Sequence, residues 1–276
     1  MLRSRAPWLR RCWPNSASEI RVQGRLNLPR LVYGLRPVEE LLRSQTPVSA
    51  LYHAEGRPPP ALERILKTAQ AAQVNVAVRS RVELDALAGG ALHQGVVAVA
   101  GDFPYREPLH VVAAARATGA APLLLVLDEV QDPQNLGALV RSAHILGAHG
   151  LIVPRHRAAT VTPAVVKAAA GANEHTPIAL CTNVARTLEE LKEEGLWIVG
   201  ASAHEGEPPW AIDFTLPTAL VLGSEGKGLR PLVERGCDRR VYIPVLGRVA
   251  SLNVSAAGAI LLYEAQRQRS HLPSDK

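Results

Sequence analysis

Unbroken apolar runs alternate along most of this chain with stretches in which apolar residues recur every three or four positions. Runs at 123–127, 150–153, 196–201, 219–222 and 240–243 read as buried strands. Stretches at 133–146, 163–170, 184–194, 229–234 and 254–269 carry the helical period; in the first of them Leu136, Leu139, Val140 and Ala143 share one face. This alternation predicts a doubly covered parallel sheet, with ligand-binding loops at the C-terminal ends of its strands. A smaller alternation comes before it. An apolar run at 31–35 leads into a helix opened by Arg36-Pro37, followed by a strand at 48–53, a helix at 61–73 and a strand at 74–78. Ser80 and Glu83 then form a capping box for a short helix, and a strand follows at 95–100. The expected organisation is a small α/β domain over 31–105, a linker over 106–121 with some helical tendency, a larger α/β domain over 122–270, and tails at 1–30 and 271–276.

Charge changes this picture at one place. The net charge of +6 is carried by residues 1–30, whose seven arginines face a single acid, Glu19. The other residues balance to zero, so the high pI belongs to the tail rather than to the folded body. The tail reads as disordered; its Arg-rich, acid-poor start also has the composition of an organellar transit peptide, but a cytoplasmic protein with a basic tail is the reading adopted. Aromatic residues make up 4% of the chain, too few for base stacking to dominate an RNA contact. Cys12, Cys181 and Cys237 are scattered, with neither metal spacing nor a disulfide framework. No apolar run is long enough to span a bilayer.

Three segments carry candidate chemistry. The stretch 243–255 runs from a strand end at Ile243-Pro244 through a loop with Val245 and Gly247 to Ser251, Leu252, Asn253 and Ser255 before an alanine-rich helix. Unpaired N–H groups at a helix start attract polar or anionic groups, and Ser or Asn there can cap the helix or face a ligand. The stretch 132–143 starts a helix with Asp132 as cap and Pro133 at the first position, and displays Asn135 and Arg141. Taken alone, these would read as a surface amide and a snorkelling arginine. The stretch 220–229 is a strand opening into a loop with Gly223, Glu225, Gly226, Lys227 and Gly228. Its glycines allow close backbone approach, but it is neither a Walker loop nor a dinucleotide fingerprint.

In order and spacing these segments resemble the three motifs of the SpoU (TrmH-type) branch of the SPOUT RNA methyltransferases, over about 123–269. Residues 31–105 are similar to the family's L30e-like substrate-binding domain. His93-Gln94-Gly95-Val96-Val97-Ala98 and Gly101-Asp102-Phe103-Pro104-Tyr105 look like the bacterial enzymes that methylate a guanosine ribose in large-subunit ribosomal RNA. The resemblance implies a C-terminal trefoil knot, a homodimer, S-adenosylmethionine as methyl donor, ribosomal RNA as partner and no metal. It places the donor against Leu222, Gly223, Ile243, Val245 and Leu252. The catalytic set it implies is Arg141, Asn135, Glu225, Ser251 and Asn253. Arg141 is expected to act as a cation that orients a phosphate and stabilises the forming alkoxide, because a guanidinium is too weak an acid to serve readily as a general base. Asn135 would hold Arg141 or the ribose, Glu225 would anchor or orient, and Ser251 and Asn253 would fix the loop. A transfer RNA enzyme and an idle ribosome assembly factor on the same scaffold are the alternatives. His144 and His149 read as cap or core groups. Lys167 and the turn at 171–175 read as part of the RNA path or as a plain helix end. Lys227 and Arg248 read as phosphate contacts or solvated loop cations.

Overall fold

The computed structural model describes residues 30–247 and 251–270. The expected tails, except Arg30, and Arg248 lie outside these residues. Two sheets organise the chain. The first contains β1 (Arg30–Tyr33), β2 (Val48–Ala54), β3 (Asn75–Arg79) and β4 (Val96–Ala100) in the order β1-β4-β2-β3; β4 runs antiparallel to both its neighbours, and β2 and β3 pair in parallel. Helices α1 (Leu35–Arg43) and α2 (Pro60–Ala71) bury Val38, Leu41, Leu62 and Ile65 on one face. Helix α3 (Arg81–Leu87) packs Leu84 with Tyr33, Tyr52 and Val97 on the other. The Ser80–Glu83 capping box is formed as expected.

The second sheet holds β5 (Leu123–Leu127), β6 (Gly150–Pro154), β7 (Ile178–Cys181), β8 (Trp197–Ser202), β9 (Thr218–Leu222) and β10 (Arg239–Tyr242). The strands are all parallel, in the order β10-β8-β9-β5-β6-β7. Both faces are covered, so β5, β6 and β9 are buried along their whole length and lack polar alternation. Helices α5 (Pro133–Ile145), α6 (Pro163–Ala168) and α9 (Val254–Arg269) cover the face carrying Leu123, Leu125 and Leu127. Helices α4 (Pro108–Ala117), α7 (Val184–Glu193) and α8 (Pro231–Arg235) cover the face of Leu124 and Val126.

Three features differ from expectation. Strand β7 was not anticipated; it is a four-residue edge strand whose apolar run is too short to register beside Pro177. The expected linker is helix α4, which buries Val111, Val112 and Ala115 against the second sheet, while Arg106 bridges to Ala179 on β7. Arg30, assigned to the tail, is the first residue of β1 and is buried. One apolar cluster also runs unbroken from Val32, Val38 and Leu41 through Val165 and Val166 to Leu125 and Leu139, so the two sheets share a core.

Two glycines set how closely the helices over the second sheet pack. A Cβ at Gly137 would lie 2.4 Å from the Cβ of Ala168, and one at Gly258 would lie 2.5 Å from Leu139 Cδ2 and 2.8 Å from Leu222 Cδ1. Helix α5 is therefore wedged between α6 and α9. At the opposite end of α9, Arg269 donates from Nε to the Phe214 carbonyl (2.8 Å) and from Nη2 to those of Leu216 (3.0 Å) and Pro122 (3.1 Å); Nη1 reaches Ala121. Gln268 adds a bond to the Ile212 carbonyl and accepts from the Phe214 N–H. Beside them His149 Nδ1 accepts from the Leu123 N–H at 3.1 Å. Burial, followed by the nearby Arg269 charge, lowers the His149 pKa; burial also lowers that of Arg269. Among the described residues no helix is long and apolar enough to cross a membrane.

Candidate active site

Each of the three motif segments begins where a strand or loop hands over to its neighbour at the C-terminal edge of the second sheet. Asp132 caps α5, its side chain accepting from the Gln134 N–H at 2.9 Å, with Pro133 in the first turn. Asn135, in that first turn, is 7% exposed. Asn253 caps α9, its Oδ1 accepting from the Ser255 N–H (2.9 Å), the Ser255 hydroxyl (2.6 Å) and the Ala256 N–H (3.4 Å). Capping engages the Asn253 oxygen and leaves its amide nitrogen free to donate elsewhere.

That nitrogen ties the three segments together. Asn253 Nδ2 donates to Asn135 Oδ1 at 3.0 Å and to Glu225 Oε1, and Asn135 Nδ2 donates to the same Glu225 oxygen at 2.9 Å. Asn135, Glu225 and Asn253 thus form a closed ring of three side chains, one from each motif. The second carboxylate oxygen of Glu225, on an exposed residue, is engaged in none of these bonds.

Two of the expected contacts are not formed among the described residues. Asn135 does not hold Arg141; its amide is turned to Glu225 and Asn253 instead. Arg141 lies six residues further along α5, about 9 Å along the axis and about a third of a turn away. It is exposed and has no hydrogen-bond or ion-pair partner among the described residues. Ser251 is exposed as well, with no hydrogen bond among the described residues.

The second motif's glycines divide their work differently from expectation. A Cβ at Gly223 would meet the Gly228 backbone at 2.2–2.3 Å and the Leu229 nitrogen at 2.5 Å, so this glycine lets the loop close on itself. Reciprocal bonds between Ser224 and Gly228 complete that closure. Gly226 and Gly228 have positive φ, and the space beside them is open. Leu222 is 1% exposed and lies under Gly258, so its side chain is closed to a ligand; its carbonyl accepts from the Asp128 N–H at 2.8 Å. Lys227 is exposed.

A pair that sequence reasoning overlooked holds the exit of this loop. Asp128, 1% exposed at the end of β5, accepts from the Arg230 N–H (2.9 Å) and from its guanidinium (2.6 and 2.8 Å). The hydrogen bond to Asp128 raises the Arg230 pKa. An acid directly after an unbroken apolar strand was the available signal. Of the two histidines, His149 is half-buried and bonded to the Leu123 N–H, as read, whereas His144 is exposed and stacks on His175 with centroids 5.6 Å apart, which is neither cap nor core. Lys167 lies in the last turn of α6, while the turn at 171–175 is an interdomain contact instead of a plain helix end.

The third motif's loop leaves apolar surface uncovered. Val245 is 43% exposed, Leu252 42%, and Leu246 fully; Ile243 is half-buried against the core. Apolar side chains beside an open glycine loop and a carboxylate oxygen outside the ring suit a ligand with a flat apolar base at one end and a polar, charged portion at the other.

Comparison with known proteins agrees with this geometry. The model of the SpoU rRNA methylase family matches residues 122–263, and that for RNA 2′-O ribose methyltransferase substrate binding matches 31–106. The chain is 44% identical over 241 residues to the 23S rRNA (guanosine-2′-O-)-methyltransferase RlmB of Pseudomonas syringae pv. tomato, covering 87% of this chain and 96% of that one. It is 43% identical over 243 residues to the RlmB of Pseudomonas aeruginosa, covering 87% and 97%. Among solved structures, the SpoU methyltransferase AviRb from Streptomyces viridochromogenes in complex with AdoMet superposes with a TM-score of 0.73 at 28% identity, covering 87% of this chain and 90% of that one.

Proposed function

The chain belongs to the SpoU rRNA methylase family, and from that premise we propose that it methylates the ribose 2′-hydroxyl of a guanosine in large-subunit ribosomal RNA, with S-adenosylmethionine as donor. The observation that carries this reading is the Asn135–Glu225–Asn253 ring, which ties the three motifs together beside an open glycine loop.

The residues present fit the donor. Val245, Leu246 and Leu252 offer apolar surface for an adenine, Ile243 and Gly223 stand at the loop bases, and Gly226 and Gly228 leave room for close approach. When bound, the donor supplies an electrophilic methyl group on a sulfonium. The ring keeps the two donor loops and the start of α5 in register, and the free Glu225 oxygen can accept from a ribose hydroxyl. Arg141, an exposed cation with no partner among the described residues, can hold a substrate phosphate and offset charge forming on the attacking oxygen.

Arg141 stands apart from the ring within one subunit, and this supports a homodimer. On α9, Ala256, Ile260 and Tyr263 form an exposed stripe at helical spacing, with Ile260 42% and Tyr263 61% exposed; Ile145, one turn beyond Arg141 on α5, is 66% exposed. Apolar area of this kind on neighbouring helices suits a second copy, which would bring Arg141 of one subunit towards the ring of the other. The trefoil knot is part of the same proposal, supported by the packing of α9 across α5 and β9. So is the division of labour, with residues 31–106 selecting RNA, and so is the cytoplasm as the place of action, where bacterial ribosomal RNA resides.

Incubation with labelled donor and unmodified large-subunit RNA, followed by mapping of 2′-O-methyl positions, tests the reading. The expected result is label at one guanosine ribose. Folded protein that binds donor but labels no RNA would overturn it.

A further inference from the structure

The two sheets meet at a buried polar joint that the methyl-transfer chemistry does not use. Glu174 sits in the short turn Ala172–Glu174 between α6 and β7, and its side chain has no exposed surface. Its Oε1 accepts from Arg30 Nη1 at 2.6 Å and Asn173 Nδ2 at 2.7 Å; its Oε2 accepts from Arg30 Nη2 at 3.1 Å and the Thr46 hydroxyl at 3.0 Å. Arg30 begins β1 and Thr46 precedes β2, so an acid of the methyltransferase part is gripped by the substrate-binding part. The Arg30 guanidinium also lies over the Phe103 ring, 5.4 Å from its centroid.

The same turn touches both working parts of the molecule. A Cβ at Gly171 would lie 2.6 Å from that of Glu40 on α1. His175 bonds Glu40 through Nε2 at 2.8 Å and stacks on His144, which lies one turn beyond Arg141 on α5. A short segment therefore connects the helix of the RNA-binding sheet to the helix that carries Arg141.

A buried ion pair is a poor way to hold two surfaces together, because desolvation of both charges offsets most of their attraction, and apolar residues of similar volume often do as well or better. Among the described residues this joint also leaves Arg30 Nε and Asn173 Oδ1 buried without hydrogen-bond partners. What it gives instead is direction: two parallel N–H···O bonds fix an angle as well as a distance. We infer that Glu174, with Arg30 as counter-charge, is a positioning residue for methyl transfer, setting the orientation at which RNA held by the first sheet meets the site on the second. This rests on the proposed reaction.

The test separates orientation from stability. Glu174→Gln should lower the melting temperature and lower kcat/KM for RNA by about ten- to a hundredfold, the scale of a small misplacement of reactants, with donor affinity unchanged. The apolar pair Arg30→Met/Glu174→Leu should regain the melting temperature but not kcat/KM for RNA, because it restores burial without direction. Thr46→Val removes one bond from a partly exposed, isosteric position; it should fold as wild type and raise KM for RNA several-fold. An apolar pair that recovers both stability and RNA turnover overturns the proposal, as does Thr46→Val with wild-type KM. Wild-type protein that methylates no RNA overturns the underlying reaction instead, which keeps the two failures distinguishable.

Discussion

At the C-terminal edge of the second sheet the chain leaves glycine-rich loops, exposed Val245, Leu246 and Leu252, a Glu225 carboxylate with one oxygen outside the ring, and an exposed Arg141 with no partner among the described residues. Near its opposite edge Arg269 donates to four backbone carbonyls, Gln268 to a fifth, and His149 accepts from the Leu123 N–H. One helix, α9, serves both ends. Its cap, Asn253, belongs to the ring, and its last residue clamps the base. One end therefore keeps polar groups available for a ligand, while the other uses them up in holding the chain.

If that contrast is real, substitutions at the two ends should give different readouts. The largest effect belongs to Arg141→Ala. Loss of one charge-stabilising donor predicts a roughly hundred- to thousandfold fall in single-turnover methylation, with donor affinity and melting temperature unchanged. Arg141→Lys should lose most of the same activity, because an ammonium lacks the planar fork. Near wild-type turnover in Arg141→Ala would remove it from the mechanism.

Arg269→Met should behave in the opposite way. It strands buried carbonyls, so stability should fall by about 1–3 kcal/mol, seen in chemical denaturation, while turnover per folded molecule is kept. A parallel loss of donor affinity would show that the two ends are coupled through α9. Asn253→Ala lies between these cases. Losing the cap should cost about 1 kcal/mol, and opening the ring should weaken donor binding several-fold in calorimetry.

The smallest effect is a pH dependence at the closed end. Burial first, and then the Arg269 charge, lower the His149 pKa below its ordinary 6.5, so the unfolded chain binds the extra proton more readily than the native one. This contribution to stability is complete above pH 6.5 and is lost as the pH falls from there towards the folded value. Melting temperature should therefore drop on acidification through that window, and less so in His149→Gln. An identical slope in the variant would assign the drop to other groups.

Local chemistry made much of this legible in the sequence. The Ser80–Glu83 box, the Asp132 cap and the unbroken run of β5 depend on near neighbours, and each formed as read; at the start of α9 the choice between capping and facing a ligand was left open, and Asn253 is the cap. Membership of the ring was also legible: Asn135, Glu225 and Asn253 were singled out from their motifs. Their partners were not, because Asn135 meets Glu225 across 90 positions and Asn253 across 118, which no local spacing encodes. The joint was hidden for the same reason, since Arg30 and Glu174 lie 144 positions apart and Arg30 looked like one more tail arginine. Strand β7 was missed because its apolar run is short, and the helical tendency of 106–121 did not show that α4 packs on the second sheet, because it is the neighbouring sheet that gives both their environment.

The long reach of the ring also has a consequence in time. Helices α1 and α5 can begin to form from residues close in sequence, but the ring needs three distant segments brought together and cannot outpace the slowest of them. During refolding, helical signal should return first and methyl-donor binding only afterwards. The delay between the two measures how long the molecule is compact yet chemically silent.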